Sequence, residues 1–167
     1  MKQILLLRHA KSSWEIPHLK DFDRPLAARG QKDAPRMGRF LKKTGYLPGL
    51  VISSPAERAK ETTQLCLEAA GLDEDLITWN DNLYYGTAGD YLDAIQQVPK
   101  NIECIMLVGH NPKMEDIASS LGGEANIRVP TAALICFEQP ANRWDQIIPG
   151  HPQLKWIMIP KLLKKLI

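Results

Sequence analysis

Residues 3–9 read Gln-Ile-Leu-Leu-Leu-Arg-His, a run of four apolar side chains that ends in an arginine and a histidine. Such a short, continuously apolar run is typical of a strand that is buried on both faces in the middle of a mostly parallel sheet. Residues 50–53 and 104–108 have the same character. The three runs together predict an α/β fold in which these strands lie in the middle of a mostly parallel sheet.

Helical periods alternate with these strands. Residues 30–43 place apolar side chains on one helical face and end before Gly45. Residues 54–57, Ser-Pro-Ala-Glu, predict a capping box that starts a second helix, and Asn-Pro at 111–112 predicts the start of another. A further helix is predicted around residues 91–98, and further strands are predicted at residues 76–79, 132–137 and 155–159.

We therefore predict a three-layer α/β/α sandwich. Its mostly parallel central sheet is expected to have about five to six strands. No repeat, low-complexity tract or linker divides the sequence, so residues 1–167 are predicted to form one domain.

Composition narrows the possible partners. The formal charge is +2, with 44% hydrophobic and 24% charged residues, and this balance predicts a soluble globular protein without a nucleic-acid partner. The apolar run at the N-terminus is too short for a signal peptide or a membrane span, so we expect a cytoplasmic protein. The basic C-terminal segment, residues 160–167, predicts a solvated amphipathic turn rather than a membrane anchor. The three cysteines stand in apolar segments and predict buried, reduced thiols.

Polar residues follow three of the predicted strands. Arg8 and His9 end the first strand, Arg58 belongs to the turn after the second, and His110 follows the strand at 104–108. In open α/β sheets the carboxyl ends of parallel strands share one edge, where ligands bind. We therefore expect these four side chains to converge although they are distant in sequence.

The residue types indicate which ligand the edge binds. Arginine forks and helix N-termini match the oxygens of a dianionic phosphate, and a neutral imidazole is a nucleophile at physiological pH. Taken singly, each arginine is also compatible with a surface charge and each histidine with a loop residue. Their common position at one sheet edge favours a phosphate site.

The same residues carry a family resemblance. Leu-Arg-His-Ala at 7–10 resembles the first motif of the histidine phosphatase (phosphoglycerate mutase-like) superfamily, with Ala10 in place of the usual glycine. Residues 53–59 resemble the second motif and residues 109–112 the third. The short chain and the Asp-Arg-Pro-Leu sequence at 23–26 are most similar to the phosphohistidine phosphatase SixA branch.

This resemblance implies a phosphoglycerate mutase-like fold and assigns roles to residues. His9 would be the nucleophile that carries the phosphoryl group. The phosphoryl oxygens and the pocket mouth would be contacted by Arg8, Arg58, His110, Arg24, Ser12 and Ser13. The resemblance implies no metal and no cofactor, and the partners would be a phosphorylated substrate and the product inorganic phosphate.

Two departures from the family pattern, and the absence of an acidic residue where some relatives have one, bear on the choice of substrate. Glu15 stands where many relatives have a phosphate-contacting Asn, and Ala27 where a Ser or Thr is common. Asn82 stands where relatives that act on sugar phosphates have an acidic proton donor, which favours phosphohistidine in a signalling protein, whose leaving imidazole departs neutral. The alternatives are a small-molecule phosphomonoesterase, with Asp81, Glu15 or His18 as its acid, and a non-catalytic phosphate-binding module. The oligomeric state stays open.

Overall fold

The computed structural model describes residues 1–149 and 151–166. Within them the strands are β1 (Lys2–Arg8), β2 (Leu50–Ser53), β3 (Ile77–Trp79), β4 (Cys104–Gly109), β5 (Leu134–Gln139) and β6 (Gln153–Met158). They form one sheet with the order β3-β2-β4-β1-β5-β6. Strands β1 to β4 are parallel to one another, while β5 runs antiparallel to β1 and β6 antiparallel to β5. The predicted mostly parallel sheet is confirmed.

Helices cover both faces of the sheet. Those of the described residues are α1 (Ala28–Thr44), α2 (Glu57–Ala70), α3 (Asn82–Tyr85), α4 (Ala88–Gln96), α5 (Lys113–Leu121) and α6 (Pro160–Leu163). The helices predicted around 30–43 and 91–98 correspond to α1 and α4. Gly45 ends α1 with a φ of 78°, a left-handed conformation that glycine adopts without strain.

Two hydrophobic cores lie on opposite sides of the sheet, and β1 contributes to both. Ile4 and Leu6 pack into the core under α3, α4 and α5, whereas Leu5 and Leu7 pack into the core under α1, α2 and α6. Because side chains alternate along a strand, a strand that is apolar at every position needs a layer on each face. The three-layer α/β/α prediction is confirmed.

The register of the central strands brings their ends together. Arg8 of β1 pairs with Gly109 of β4, and Ser53 of β2 pairs with Val108 of the same strand. The segments that follow β1, β2 and β4 therefore leave the sheet side by side. This arrangement makes the three motifs neighbours.

The predicted capping box at the start of α2 is wrong. The helix begins at Glu57, and Ala56 rather than Ser54 is its N-terminal cap residue. The Ser54 hydroxyl instead accepts a hydrogen bond from the amide of Ala56 at 3.2 Å and lies 2.7 Å from His110 Nε2. Its contact with His110 makes Ser54 part of the strand-end cluster rather than a helix cap.

The start of α5 also differs from the prediction, because the first helical residue is Lys113 and Pro112 precedes it as the cap. Asn111 does not cap the helix, since its side-chain amide donates to the Val129 carbonyl at 3.0 Å. The same carbonyl accepts a hydrogen bond from Arg8 Nη1 at 3.0 Å. The Val129 carbonyl therefore connects the start of α5 to the end of β1 through these two hydrogen bonds.

Three strand limits were predicted less accurately. Strand β3 begins at Ile77 because Leu76 closes a short 3-10 helix, and β6 begins and ends earlier than residues 155–159. Strand β5 begins at Leu134 because Ala132, with a φ of 58°, turns its amide toward the carbonyls of Arg8 and His9. The predicted C-terminal turn at residues 160–167 corresponds to the short α6 and the residues after it, with Leu163 buried and Lys161, Lys164 and Lys165 exposed as predicted; residue 167 lies outside the described residues. Within the described ranges no helix has the length and hydropathy of a membrane span.

Candidate active site

His9 leaves the end of β1 with its ring orientation set by two hydrogen-bond partners. Its Nδ1 lies 2.7 Å from the Ala10 carbonyl oxygen, which only accepts, so Nδ1 carries the proton. The other ring nitrogen, Nε2, accepts a hydrogen bond from Arg58 Nε at 3.4 Å. Both contacts favour the tautomer in which the Nε2 lone pair faces the arginine-lined edge of the sheet.

The charge state of His9 follows from its surroundings. The pKa of His9 is lowered to about 3, chiefly by burial and also by the positive charges of Arg58, Arg8 and Arg24, which together outweigh the hydrogen bond to the Ala10 carbonyl. The imidazole is therefore neutral at physiological pH. A neutral ring keeps the lone pair that a nucleophile requires.

His110 lies beside His9 at the end of β4. The two ring centroids are 5.1 Å apart, and His110 Nε2 is 2.7 Å from the Ser54 hydroxyl. Burial, followed by the charges of His9 and Arg58, lowers the pKa of His110 to about 2, so this ring is also neutral. Its Nδ1 is buried and has no hydrogen-bond partner among the described residues. If the Ser54 hydroxyl donates to Nε2, then Nδ1–H is a donor available to a ligand.

Arg58 is held by Asp21, a residue that the sequence did not single out. Arg58 Nη1 donates to the Asp21 carbonyl at 2.7 Å, and Nη2 donates to its carboxylate at 3.0 Å. The Tyr84 hydroxyl donates to the same carboxylate at 2.7 Å. Although desolvation raises the pKa of Asp21, the hydrogen bond from Tyr84 and the charge of Arg58 outweigh it, and the pKa lies below its usual value. Asp21 is therefore an ionised clamp on Arg58.

Arg8 and Arg24 complete the positive surroundings of His9. Arg24 Nη2 donates to the Ser12 hydroxyl at 2.8 Å, and its guanidinium stacks on the Trp14 ring with 3.4 Å between carbon and centroid. Burial is the main cause that lowers the pKa of both arginines. Within residues 1–149 and 151–166, Arg8 Nε and Arg24 Nη1 are buried donors without an acceptor. Buried donors without acceptors are costly, which indicates an anionic ligand here.

The structure brings most of the predicted site residues together. Arg8, His9, Arg58 and His110 converge at the carboxyl ends of the strands, and Arg24, which donates to Ser12, joins them. Ser13 differs, because its hydroxyl accepts a hydrogen bond from the Glu15 amide at 3.1 Å and forms none with these side chains in the described part of the chain.

The candidate proton donors lie outside this cluster. Asp81, Glu15 and His18 are exposed. In the ranges that the structure describes, none of them hydrogen bonds or pairs with His9 or His110. Ala10, which stands in place of the usual glycine of the first motif, is buried, and its amide donates to the Thr62 hydroxyl at 2.9 Å.

Sequence reasoning missed three contributors: Ser54, Asp21 and Tyr84. Tyr84 contacts the His110 ring edge-on with 5.3 Å between centroids. Aromatic residues near strand ends usually complete packing, which is why sequence reasoning does not assign Tyr84 to the site. Asp21 stands three residues before Arg24, and this acidic residue beside a predicted pocket arginine was the available signal.

Comparison with known proteins agrees with this geometry. A family model of the histidine phosphatase superfamily (branch 1) matches residues 4–99, more than half of the chain. The chain belongs to the histidine phosphatase superfamily. This histidine phosphatase is 32% identical to an uncharacterised chloroplastic protein of Arabidopsis thaliana, over 95% of this chain and 78% of the relative. It is 41% identical to a 2,3-bisphosphoglycerate-dependent phosphoglycerate mutase of Streptomyces avermitilis over 70 residues, which are 41% of this chain and 28% of the mutase.

Solved structures resemble the whole histidine phosphatase chain. A protein from Agrobacterium tumefaciens, provisionally named phosphohistidine phosphatase SixA, superposes with a TM-score of 0.80 at 30% identity, covering 95% of this chain and 98% of the other. The protein histidine phosphatase SixA complexed with tungstate also gives a TM-score of 0.80, at 22% identity, covering 97% and 99%. The second likeness shows the shared fold, which confirms the phosphoglycerate mutase-like prediction.

Proposed function

We propose that this histidine phosphatase removes the phosphoryl group from phosphohistidine in a signalling protein of the cytoplasm, and that His9 carries the group as a covalent intermediate. One observation supports the proposal above the others. The Nε2 lone pair of a neutral, buried His9 faces Arg58 and lies among Arg8 and Arg24. Three arginines around a neutral imidazole suit attack on a phosphorus that carries negative oxygens.

In the first step, His9 Nε2 attacks phosphorus in line and the bond from phosphorus to the leaving imidazole breaks. The His9 ring gains positive charge as the new N–P bond forms. The Ala10 carbonyl, which accepts from Nδ1–H at 2.7 Å, stabilises that charge. Arg8, Arg58 and Arg24 neutralise the phosphoryl oxygens and so supply the positive charge that metal ions provide in other phosphoryl transfers.

In the second step, water attacks the phosphorus of phospho-His9. The N–P bond breaks, the water proton passes to the phosphate, and inorganic phosphate leaves. His9 recovers its Nε2 lone pair without a net proton change on the ring. In both steps His110 donates to a phosphoryl oxygen, a role supported by its buried Nδ1, which has no hydrogen-bond partner among the described residues.

Among residues 1–149 and 151–166, no protonated carboxyl group contacts His9, and this supports the choice of substrate. Asp21 is the carboxylate that binds the site arginine, and its lowered pKa keeps it ionised at neutral pH. It therefore does not protonate an alkoxide leaving group. Phosphohistidine needs no such acid, because the imidazole of a ring-protonated phosphohistidine departs neutral.

The decisive experiment traps the intermediate. The protein is mixed with a phosphohistidine peptide, p-nitrophenyl phosphate or a sugar phosphate, quenched without acid and analysed by mass spectrometry. We expect phosphate on His9 with the phosphohistidine peptide and none in His9→Asn, whose side chain is smaller and not a nucleophile. His151→Asn, at an exposed histidine far along the chain, serves as the matched control and should be labelled like the wild type.

The three substrates separate the alternatives. Faster turnover of the sugar phosphate than of phosphohistidine would favour the phosphomonoesterase and would require an acid that approaches His9 after substrate binds. Phosphate binding without labelling of His9 and without product would favour the non-catalytic module.

A further inference from the structure

A second basic surface lies beside the candidate active site. It is a groove of about 530 Å³ between the start of α1, the segment before β5 and the helix α6. Its apolar lining consists of Pro130, Ile159 and Pro160. We call it the basic groove because of the side chains on its rim.

The rim of the basic groove carries four cations. They are Arg29 on one wall and Lys161, Lys164 and Lys165 on the other, and all four are exposed. The whole chain has a formal charge of only +2, from 21 basic and 19 acidic residues. Four of the 21 cations on one groove are therefore a local concentration, since the rest of the chain is nearly balanced.

The acidic residue that lines the groove does not cancel this charge. Asp33 is 8% exposed, and its carboxylate lies 2.6 Å from Arg36 Nη1, whereas Arg29 Nε is 3.9 Å away. Its negative charge is therefore engaged mainly by Arg36. The exposed cations on the rim remain available to an anionic partner.

The basic groove opens on the same edge of the sheet as His9. Strand β5 begins and β6 ends at the edge where β1 ends, because β5 runs antiparallel to both neighbours. Thr131 on the groove wall accepts from Arg29 Nη2 at 3.3 Å, and the next amide, of Ala132, donates to the carbonyls of Arg8 and His9 at 3.1 Å. A molecule that fills the groove is therefore directly beside the nucleophile loop.

We infer that the basic groove docks an acidic polypeptide segment of the phosphoprotein whose phosphohistidine enters the site, an inference that rests on the proposed function. A groove lined by apolar side chains and by exposed cations fits a segment that alternates carboxylates with apolar side chains. Long exposed lysines attract carboxylates over a distance, which raises the association rate more than the final affinity. The groove is also much larger than a single phosphate requires.

The test compares two synthetic phosphohistidine peptides that differ only in their flanks, glutamate in one and glutamine in the other, with p-nitrophenyl phosphate as a small substrate. At low ionic strength we expect the wild type to prefer the glutamate peptide about tenfold in kcat/KM. The preference should shrink as salt is added, because exposed charges are screened.

Charge reversal of the rim supplies the specific variant. In Lys161→Glu/Lys164→Glu/Lys165→Glu the preference should disappear, with kcat/KM for p-nitrophenyl phosphate unchanged, which also shows that the variant is folded. The milder replacement of the same three lysines by Gln should give an intermediate preference. The matched control is Lys42→Glu/Lys43→Glu/Lys100→Glu, which makes the same change in net charge. These exposed positions lie toward the amino ends of the parallel strands, away from the groove, and this variant should keep the preference.

The outcomes separate the docking inference from the proposed function. Equal turnover of both peptides by the wild type, or a preference that survives rim reversal, would overturn the docking inference alone. Turnover of p-nitrophenyl phosphate with neither peptide hydrolysed would overturn the proposed function and the docking with it. Binding to phosphatidylserine vesicles that is lost in the rim variant, without any peptide preference, would assign the exposed Leu162 and Leu166 with these lysines to a lipid surface instead.

Discussion

Lowering the pH from 7 to 5 should destabilise the fold through His9 and His110. Both rings are buried, and their pKa values fall to about 3 and about 2 in the folded protein from 6.5 in a model peptide. Because the unfolded chain then binds more protons than the folded one, stability is fully present above about pH 6.5 and is lost as the pH falls toward the folded values.

The magnitude follows from these values. Between about pH 6.5 and pH 5 each histidine binds nearly one extra proton in the unfolded chain, at 1.36 kcal/mol per pH unit. The loss is therefore about 2 kcal/mol for each histidine and about 4 kcal/mol for both. Most carboxylates titrate below this window and add little to it.

Urea denaturation at pH 7, 6 and 5, followed by tryptophan fluorescence, measures this loss. Between pH 7 and pH 5 the unfolding free energy of the wild type should fall by about 4 kcal/mol. In His9→Asn or His110→Asn, which each retain one of the two histidines, it should fall by only about 2 kcal/mol over the same pH range. His151→Asn is the control, since His151 is exposed and has a φ of 53°, a conformation that Asn tolerates. Single site variants that keep the full pH dependence of the wild type would refute the assignment of two buried neutral histidines.

Three further substitutions test the packing and the clamp. Gly38→Ala would place a Cβ 2.0 Å from the Cys66 carbonyl and push α1 from α2, which should cost about 1–3 kcal/mol in urea denaturation. Tyr84→Phe removes the hydroxyl that binds Asp21, loosens the hold on Arg58 and should lower kcat/KM about three- to tenfold without a large change in Tm. Lys2→Met removes a buried ammonium group that donates to the carbonyls of Lys100 and Ile102, and should cost about 1–3 kcal/mol in the same denaturation.

Each of these substitutions has a matched control. Gly49→Ala meets no atom nearer than 3.8 Å and should be nearly neutral, as should Tyr85→Phe and Lys100→Met at exposed positions. Equal losses of unfolding free energy in Gly49→Ala and in Gly38→Ala would show that the close approach of α1 to α2 is not the cause. A catalytic loss in Tyr85→Phe as large as that of its neighbour would argue against the carboxylate clamp. An unchanged stability of the buried-lysine variant would show that its carbonyls find other donors.

Hydrophobic pattern alone was sufficient for the layers of the fold. The run at residues 4–7 is apolar at every position, and the structure places alternate side chains in two separate cores. Polar residues directly after such strands predicted the convergence of Arg8, His9, Arg58 and His110, because parallel strands end at one edge. The motif resemblance then supplied roles that the pattern does not contain.

Sequence signals for the ends of helices were less decisive than the hydrophobic pattern. Ser-Pro-Ala-Glu at 54–57 has the composition of a capping box, yet the Ser54 hydroxyl contacts His110 from another strand. When a hydroxyl can reach both a local and a distant hydrogen-bond partner, tertiary packing decides which partner it contacts. The spacing of residues in the sequence does not show this choice.

The sequence by itself determined which side chains face the cores and which chemical groups stand at the strand ends, because periodicity and residue type are local properties. Only the tertiary structure decided that Asp21 clamps Arg58 and receives the hydroxyl of Tyr84, a residue 63 positions away. It also decided that the wall of the basic groove at Thr131 adjoins the loop that carries His9. Both results depend on the strand order β2-β4-β1-β5-β6, which sets the loops that meet and is not encoded in any single segment.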